Sequence, residues 1–467
     1  MTNGSREHAV TPGGGAAQRQ GLGRPFWRLW TASTVANLGQ GATAVAFPWL
    51  ASTLTDSALL IALVAMSNRL PWLLFSLPAG ALADRLDRRL VMVWMCVVRA
   101  LVVGAVAVLV AVEALSLPLL CLCALALGFA EVLFDNTSQV LLPALVERER
   151  LDTANGRLMA AQVVADDFLA KPLGGLLLAL ALAAPFAFDA VTALVAGGLL
   201  LLLRGTFRAG AAAPAAGAGP GLGAGGERGG GAAALPGPRS PADPPRRPSM
   251  WAETVEGVRW LRGHRLLRRL AIALAITNMV AQGALVSYVL FARELLHLGP
   301  TGFAVLSAAP GIGALVGGLV AGRVVRAVGR ATSLFLLVLI QAVVFAVAGL
   351  SSHAVLVGAV MSLLGLAVVL WNVTTVSLRQ TLIPDRLLGR VNSVYRLLGW
   401  GTIPLGTALG GLLVTVMEPH WGREVALRSP LLLTAVVLVA LAVAVRRGLP
   451  QSLIDEALGD AGGAGGR

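Results

Sequence analysis

The stretch Gly80-Ala-Leu-Ala-Asp84-Arg85-Leu-Asp87-Arg88-Arg89 places two acids and three arginines within ten residues, flanked by apolar runs at 58–83 and 90–112. A transmembrane helix needs about 20 mostly apolar residues, so a charged knot between two such runs reads as a tight loop joining two membrane spans. Working outward, the chain holds twelve runs of this kind: 26–52, 58–83, 90–112, 117–143, 155–182, 185–203, 268–292, 301–325, 331–350, 353–379, 392–416 and 429–446. The composition agrees. Of 467 residues, 56% are hydrophobic and 13% charged, about half the charge a soluble domain carries. A soluble enzyme is excluded, and no nucleophile–base set, metal-ligand spacing or phosphate loop supports an enzyme of any kind; neither a cofactor nor a metal is expected.

The net charge of +13 would suggest nucleic acid in a soluble protein. Here the arginines mark topology instead. With the N-terminus inside, the inner loops and helix ends hold Arg85, Arg88, Arg89, Arg148, Arg150, Arg157, Arg323, Arg326, Arg330, Arg379, Arg386, Arg390 and Arg396, against Arg293, Arg423 and Arg428 outside. That bias follows the positive-inside rule and predicts both termini in the cytoplasm. Nearly every basic residue is arginine, Lys171 being the sole lysine, and Ala and Gly abound; this coding bias suggests a bacterial source.

The predicted organisation is a cytoplasmic tail at 1–25, six helices over 26–204, a Gly/Ala/Pro-rich linker at 205–249, an interfacial amphipathic helix at 250–267, six further helices over 268–447 and a tail at 448–467. The linker cannot bury a core, and its formal GxGxxG at 221–226 is a chance match with no strand before it. Cys96, Cys121 and Cys123 sit in apolar runs and read as buried thiols. No cleavable leader is evident, so the first span is expected to direct insertion.

The two sets of six helices echo each other. Gly80 to Arg89 is matched by Gly318-Leu-Val-Ala-Gly322-Arg323 and Gly329-Arg330 at an offset of 238; Leu145-Val146 and Asn155 by Leu382-Ile383 and Asn392 at 237; Arg28 and Asn37 by Arg269 and Asn278 at 241. A duplicated six-helix unit with both termini inside places the halves parallel, about an axis along the membrane normal. The fold expected is thus an all-α membrane protein of twelve transmembrane helices in two parallel-related halves.

The loop from Gly80 to Met92 resembles the best-known signature of the major facilitator superfamily, with Asp87 where the superfamily usually has Gly. Asn37-Leu38-Gly39, Leu142-Pro143-Ala-Leu-Val146 leading to Ala154-Asn155, Leu173-Gly174-Gly175-Leu176 and Gly257-Val-Arg259-Trp260-Leu261 resemble the bacterial twelve-helix drug, macrolide and siderophore exporters. Two positions depart from that branch: Gln40 stands where an Asp is frequent, and Ala170-Lys171 replaces the Gly-Pro of the fifth-helix antiporter signature. The resemblance implies a cytoplasmic latch of Gly80, Asp84, Arg85, Arg88 and Arg89 that ties the halves together when the carrier faces outward. Gly322 replaces the acid in the second half, so the latch would be one-sided.

Charges inside spans are costly, about 2.5–3.5 kcal/mol each at the bilayer centre, so Arg69, Arg99, Glu131, Asp135, Asp166, Asp167 and Lys171 must pair, titrate or face water. Glu131 and Asp135, four apart, share a helix face; Asp167 and Lys171 have the same spacing, while Asp166 points about 100° away from Asp167. Glu131, Asp135, Asp166 and Asp167 are the candidates for proton coupling, the alternative being satisfied pairs with Arg69, Arg99 and Lys171. Asn37, Gln40, Arg69, Lys171, Asn278, Gln282, Trp371 and Asn372 are the candidates for a substrate cavity at the midplane. Intramembrane aromatics (Trp49, Phe129, Phe134, Trp371, Trp400) stack on a lipophilic substrate or pack against lipid.

The expected function is secondary active export of a small amphipathic organic compound across the plasma membrane, by alternating access and proton antiport, by a protein working as a monomer. Its partners are that compound, protons and the bilayer, without nucleic acid. The alternatives are a lysophospholipid or metabolite carrier and a transport-inactive membrane sensor or scaffold.

Overall fold

The structure, a computed structural model, describes residues 22–147, 150–203 and 250–464; the side chains of 76–85 and of Asp167, among others, also lie outside the described set. Every regular element among the described residues is helical. In chain order these are α1 Gly23–Leu54, α2 Ala58–Arg85, α3 Arg88–Ala111, α4 Leu117–Leu145, α5 Leu151–Val163, a π-helical segment Val164–Ala170, α6 Lys171–Leu180 and α7 Ala184–Leu201. After the linker come α8 Met250–Gly263, α9 Arg265–Val286, the short α10 Tyr288–Leu290, a second π segment Phe291–Leu295, α11 Pro300–Val328, α12 Arg330–Leu350, α13 Ala354–Leu382, α14 Asp385–Gly448 and α15 Gln451–Ala464.

The decisive loop forms for a local reason. Asp87 caps α3, its Oδ1 accepting from the N–H groups of Arg89 (3.0 Å) and Leu90 (3.3 Å), so the departure from the superfamily's Gly supplies a helix start. Gly422, at φ 81°, breaks α14 into two rods, and Gly329, at φ 83°, turns α11 into α12. Both occupy the left-handed region that a side chain disfavours.

Among the described residues, nine helices are long and apolar enough to cross a membrane. That number takes the two rods of α14 as one. It omits α1, whose polar side chains lower its hydropathy, and the α5–π–α6 rod, whose pieces are each too short.

The duplication is visible in packing. Helices in lipid approach through small residues, and the same approach is made twice. A Cβ on Gly128 would lie 2.0 Å from the Asn68 carbonyl oxygen, and one on Gly365 1.7 Å from that of Pro310. Gly174 abuts Ala42 as Gly410 abuts Gly283. Arg28 donates to the Leu202 carbonyl at the end of α7, and Arg269 donates to that of Gly448 at the end of α14. Each first helix thus ties down the last carbonyls of its own half, α1–α7 or α9–α14.

Two boundaries differ from expectation. The interfacial helix ends at Gly263 because His264 caps α9, its Nδ1 accepting from the Leu267 N–H (3.3 Å). That helix is docked on the bundle: Gly257 lies against the Arg390 backbone, and Glu256 pairs with Arg390. The expected loose tail at 448–467 is largely α15. Ile454 is fully buried, and Gln451 accepts from the Ala331 N–H (3.1 Å) at the start of α12, so an apolar face hidden between short polar runs holds this helix down.

The two ends of the bundle differ. At the end that carries Asp56 and Gly422 the halves share one core, with the Trp49 ring 5.8 Å from Phe303. Cβ atoms on Gly175 and Gly411 would lie 2.1 Å from Ala304 and 2.7 Å from Ala62. At the arginine-rich end, Phe26, Leu29, Met92, Leu141 and Leu200 form a separate core belonging to the N-terminal half. Among the described residues the halves also meet in mid-span, where the Trp72 ring stacks on Trp400 at 5.5 Å and Leu73 lies against Gly401.

Candidate functional site

The site is built on α1. Gly39 is where α1 meets α7, since a Cβ there would stand 2.5 Å from Asp189 Oδ1 and 2.1 Å from Thr192 Oγ1. This close approach buries Asp189 completely. Arg99 of α3 reaches it with two bonds, Nε to Oδ1 (2.9 Å) and Nη2 to Oδ2 (2.7 Å), and Thr43 donates to Oδ2 (2.6 Å). Three helices thereby converge on one carboxylate. The sequence reading missed Asp189, and the missing partner for Arg99 was the signal: a lone acid in the apolar span 185–203 carries the same insertion cost as the others.

Beside this cluster lies a small, partly open cavity of about 20 Å³, lined by Asn37, Gln40, Arg99, Glu131, Phe134 and Asp135 among others. Of the sequence candidates it brings together Asn37 and Gln40 from α1 with Glu131 and Asp135 from α4, the latter two sharing a face as their spacing required. Glu131, largely buried, lies 3.8 Å from the more exposed Arg69. Charge, amide and aromatic surface meet in one cavity of the N-terminal half.

Asp166 lies in the π segment of the fifth rod, against α1: a Cβ on Gly41 would be 2.3 Å from its Oδ1. The π turn changes the register assumed from a regular helix. The Lys171 N–H bonds to the Asp166 carbonyl, so residues five apart stand over one another and Asp166 comes nearer the Lys171 face than a regular helix would bring it. Such π turns recur at functional sites in helices. Lys171 is half-buried and starts α6; the side chain of Asp167 is outside the described residues.

The candidates of the C-terminal half are not gathered into this pocket. Asn278 donates to the Gly399 carbonyl (2.8 Å), bracing α9 on α14. Gln282 is half-buried and Asn372 exposed. Trp371, expected in the cavity, does not line this pocket and is buried in the core that both halves share. In the loop after α2, Arg89 donates to the Leu203 carbonyl within its own half. Arg88 is half-buried, and the side chains of Asp84 and Arg85, with Gly80, lie outside the described set.

A second polar cluster closes the joined end. Arg423, just past the α14 kink, donates to Glu294 through Nε (2.9 Å) and Nη2 (2.8 Å), to Glu418 (3.0 Å) and to the Asp56 carbonyl (2.7 Å). Arg293 donates to the Ser52 carbonyl and lies 3.9 Å from the Asp56 carboxylate. The Glu294 and Glu418 bonds lie within the C-terminal half; the Arg423–Asp56, Arg293–Ser52 and Arg293–Asp56 contacts cross to α1 and the α1–α2 loop.

This architecture, two repeated helical halves of long apolar helices with a polar cavity inside the first, is that of a membrane carrier. Residues 29–403 match the model of the Major Facilitator Superfamily, and the chain belongs to that family: it is a multi-pass membrane transporter of small molecules and not an enzyme. It is 28% identical over 432 residues to a multidrug efflux pump Tap of Mycolicibacterium fortuitum, covering 89% of this chain and 95% of that protein. The protein of the same name from Mycobacterium tuberculosis is 28% identical over 453 residues, covering 94% and 98%. Among solved structures, the nucleoside transporter NupG superposes with a TM-score of 0.68 at 14% identity, over 92% of this chain and 100% of that one. A bacterial homologue of the human lysosomal transporter Spinster, inward-facing and unoccupied, gives 0.65 at 13%, over 93% and 97%.

Proposed function

We propose that the protein exports small amphipathic organic compounds of the drug or natural-product type by alternating access, in exchange for protons. The observation that carries this reading is the pocket in which Glu131 and Asp135 face Asn37, Gln40 and Phe134. Carboxylates attract a cationic head, the aromatic and apolar wall accepts a lipophilic body, and the amides orient it. The names of the Tap relatives support efflux as the direction. Proton exchange fits the same residues, because a carboxylate's proton affinity rises when it is dry and falls when a guanidinium approaches. Glu131 beside Arg69 is placed for such a cycle, and Asp135, Asp166 and Asp167 are the further candidates.

The arginine bias supports the arginine-rich end, with both termini, facing the cytoplasm of a bacterial cell. In that orientation the Arg423 and Arg293 contacts lie at the outer end and tie the C-terminal half to α1 and the α1–α2 loop there. The latch of Asp84 and its arginines would fasten in the outward-facing state, and a monomer contains all the parts required.

Inside-out vesicles with wild type and Glu131→Gln test the reading against a panel of cationic amphiphiles. Uptake that collapses with the proton gradient, and that loses its gradient dependence in the variant, supports it. Uptake indifferent to the gradient refutes proton exchange, transport confined to lysophospholipids or metabolites refutes the drug class, and no transport of any compound favours the sensor alternative.

A further inference from the structure

Arg269 and Arg447 line a groove at the arginine-rich end, between the first turns of α9 and the last turns of α14, whose apolar wall includes Ile272, Leu441, Ala444 and Leu449. The groove opens on the bundle's surface: Ile272 is half-exposed, and Ala444 and Arg447 are exposed. Arg265, Arg268 and Arg446 stand within a turn of it in sequence, and none of these five guanidiniums has a carboxylate within 4.0 Å among the described residues. Arg269 spends one N–H on the Gly448 carbonyl and keeps its other donors; Arg447 makes no hydrogen bond or ion pair among the described residues. The 22 residues of α9 span about 33 Å at 1.5 Å per residue, so its first turns stand at headgroup level while Ile272 and Leu441 reach into the acyl region.

We propose that this groove binds an anionic phospholipid, its phosphate held between Arg269 and Arg447 and an acyl chain lying along Ile272 and Leu441. Charge complementarity selects this occupant. Two uncompensated guanidiniums at the mouth of a groove favour a net-anionic phosphate head over a zwitterionic one, whose ammonium they repel, and the apolar wall behind them favours a lipid over a free anion. The lipid would bear on the junction of α9 with the second rod of α14, the contact that Arg269 already braces.

Native mass spectrometry of the full-length protein in detergent tests this with phosphatidylglycerol, phosphatidylcholine of the same acyl chains, and inorganic phosphate. Wild type is expected to retain phosphatidylglycerol in preference to phosphatidylcholine, and removal of each guanidinium to weaken retention about fivefold. Arg447→Gln breaks no bond in the protein and so separates lipid loss from misfolding. Ala444→Trp, which fills the wall and keeps both charges, is expected to displace the lipid as well. Equal retention of the two lipids, displacement of phosphatidylglycerol by inorganic phosphate alone, or unchanged retention in Arg447→Gln and Ala444→Trp would each overturn the proposal.

Discussion

Arg99 and Asp189 meet through two parallel hydrogen bonds of 2.9 and 2.7 Å, with the carboxylate wholly buried. Removing one member strands the other's charge, which costs about 3–5 kcal/mol, whereas replacing both by apolar groups of similar volume is close to neutral. Asp189→Ala is therefore expected to lower thermal stability in detergent by that amount, and Arg99→Met with Asp189→Leu to recover most of it. Equal losses in the single and double variants would show that the loss does not come from a stranded charge.

The Arg423 network predicts a conformational effect. Charge-assisted bonds contribute about 1.5–3 kcal/mol each, so Arg423→Gln should raise the population open at that end by about tenfold or more. Thr301→Cys, on the shared seam near Gly175, reports it in a background where Cys96, Cys121 and Cys123 are alanine. Labelling by a membrane-impermeant maleimide should accelerate in proportion; an unchanged rate would mean that the network does not hold the ends together.

Gly175 and Gly411 predict the same outcome by sterics. A Cβ on Gly175 would sit 2.1 Å from that of Ala304, closer than real atoms approach, whereas one on Gly198 meets nothing within 4 Å. Gly175→Val should increase labelling of the Thr301→Cys reporter and depress transport, and Gly198→Val should do neither.

The π segment offers a deletion test. Removing Leu169, an exposed residue, abolishes the π turn while leaving Lys171 four residues after Asp166, the spacing at which a regular helix still stacks the two. The expected result is a protein that folds and inserts but no longer transports, measured by vesicle uptake beside a melting curve. Retained transport would deny the π turn a part in the cycle.

His264 predicts a pH effect. Burial pushes its pKa down, and the neutral ring caps α9 through Nδ1. A group whose native pKa is depressed contributes stability above its unfolded value, about 6.5, and loses it as the pH falls through that value toward the native one. The cap is worth about 1 kcal/mol. His264→Asn, which caps without titrating, should flatten the fall in melting temperature between about pH 7 and 5; equal slopes would exclude His264 as its source.

The amino-acid sequence alone was enough for the class of fold. Long apolar runs leave helices as the only way to satisfy the backbone in lipid, and the repeats at offsets near 240 announced a pairing of halves that the glycine contacts display. It also placed Glu131 and Asp135 on one face, because a regular helix carries its angles in its spacing. Tertiary structure decided what periodicity cannot carry. The π turn moved Asp166 relative to Lys171, since one extra residue per turn changes every angle beyond it. Ile454 drew the helix at 451–464 onto the bundle, and Arg99 found Asp189 across 90 residues. Each of these depends on which helices touch, and that is set by shape and small-residue packing between segments the sequence lists far apart.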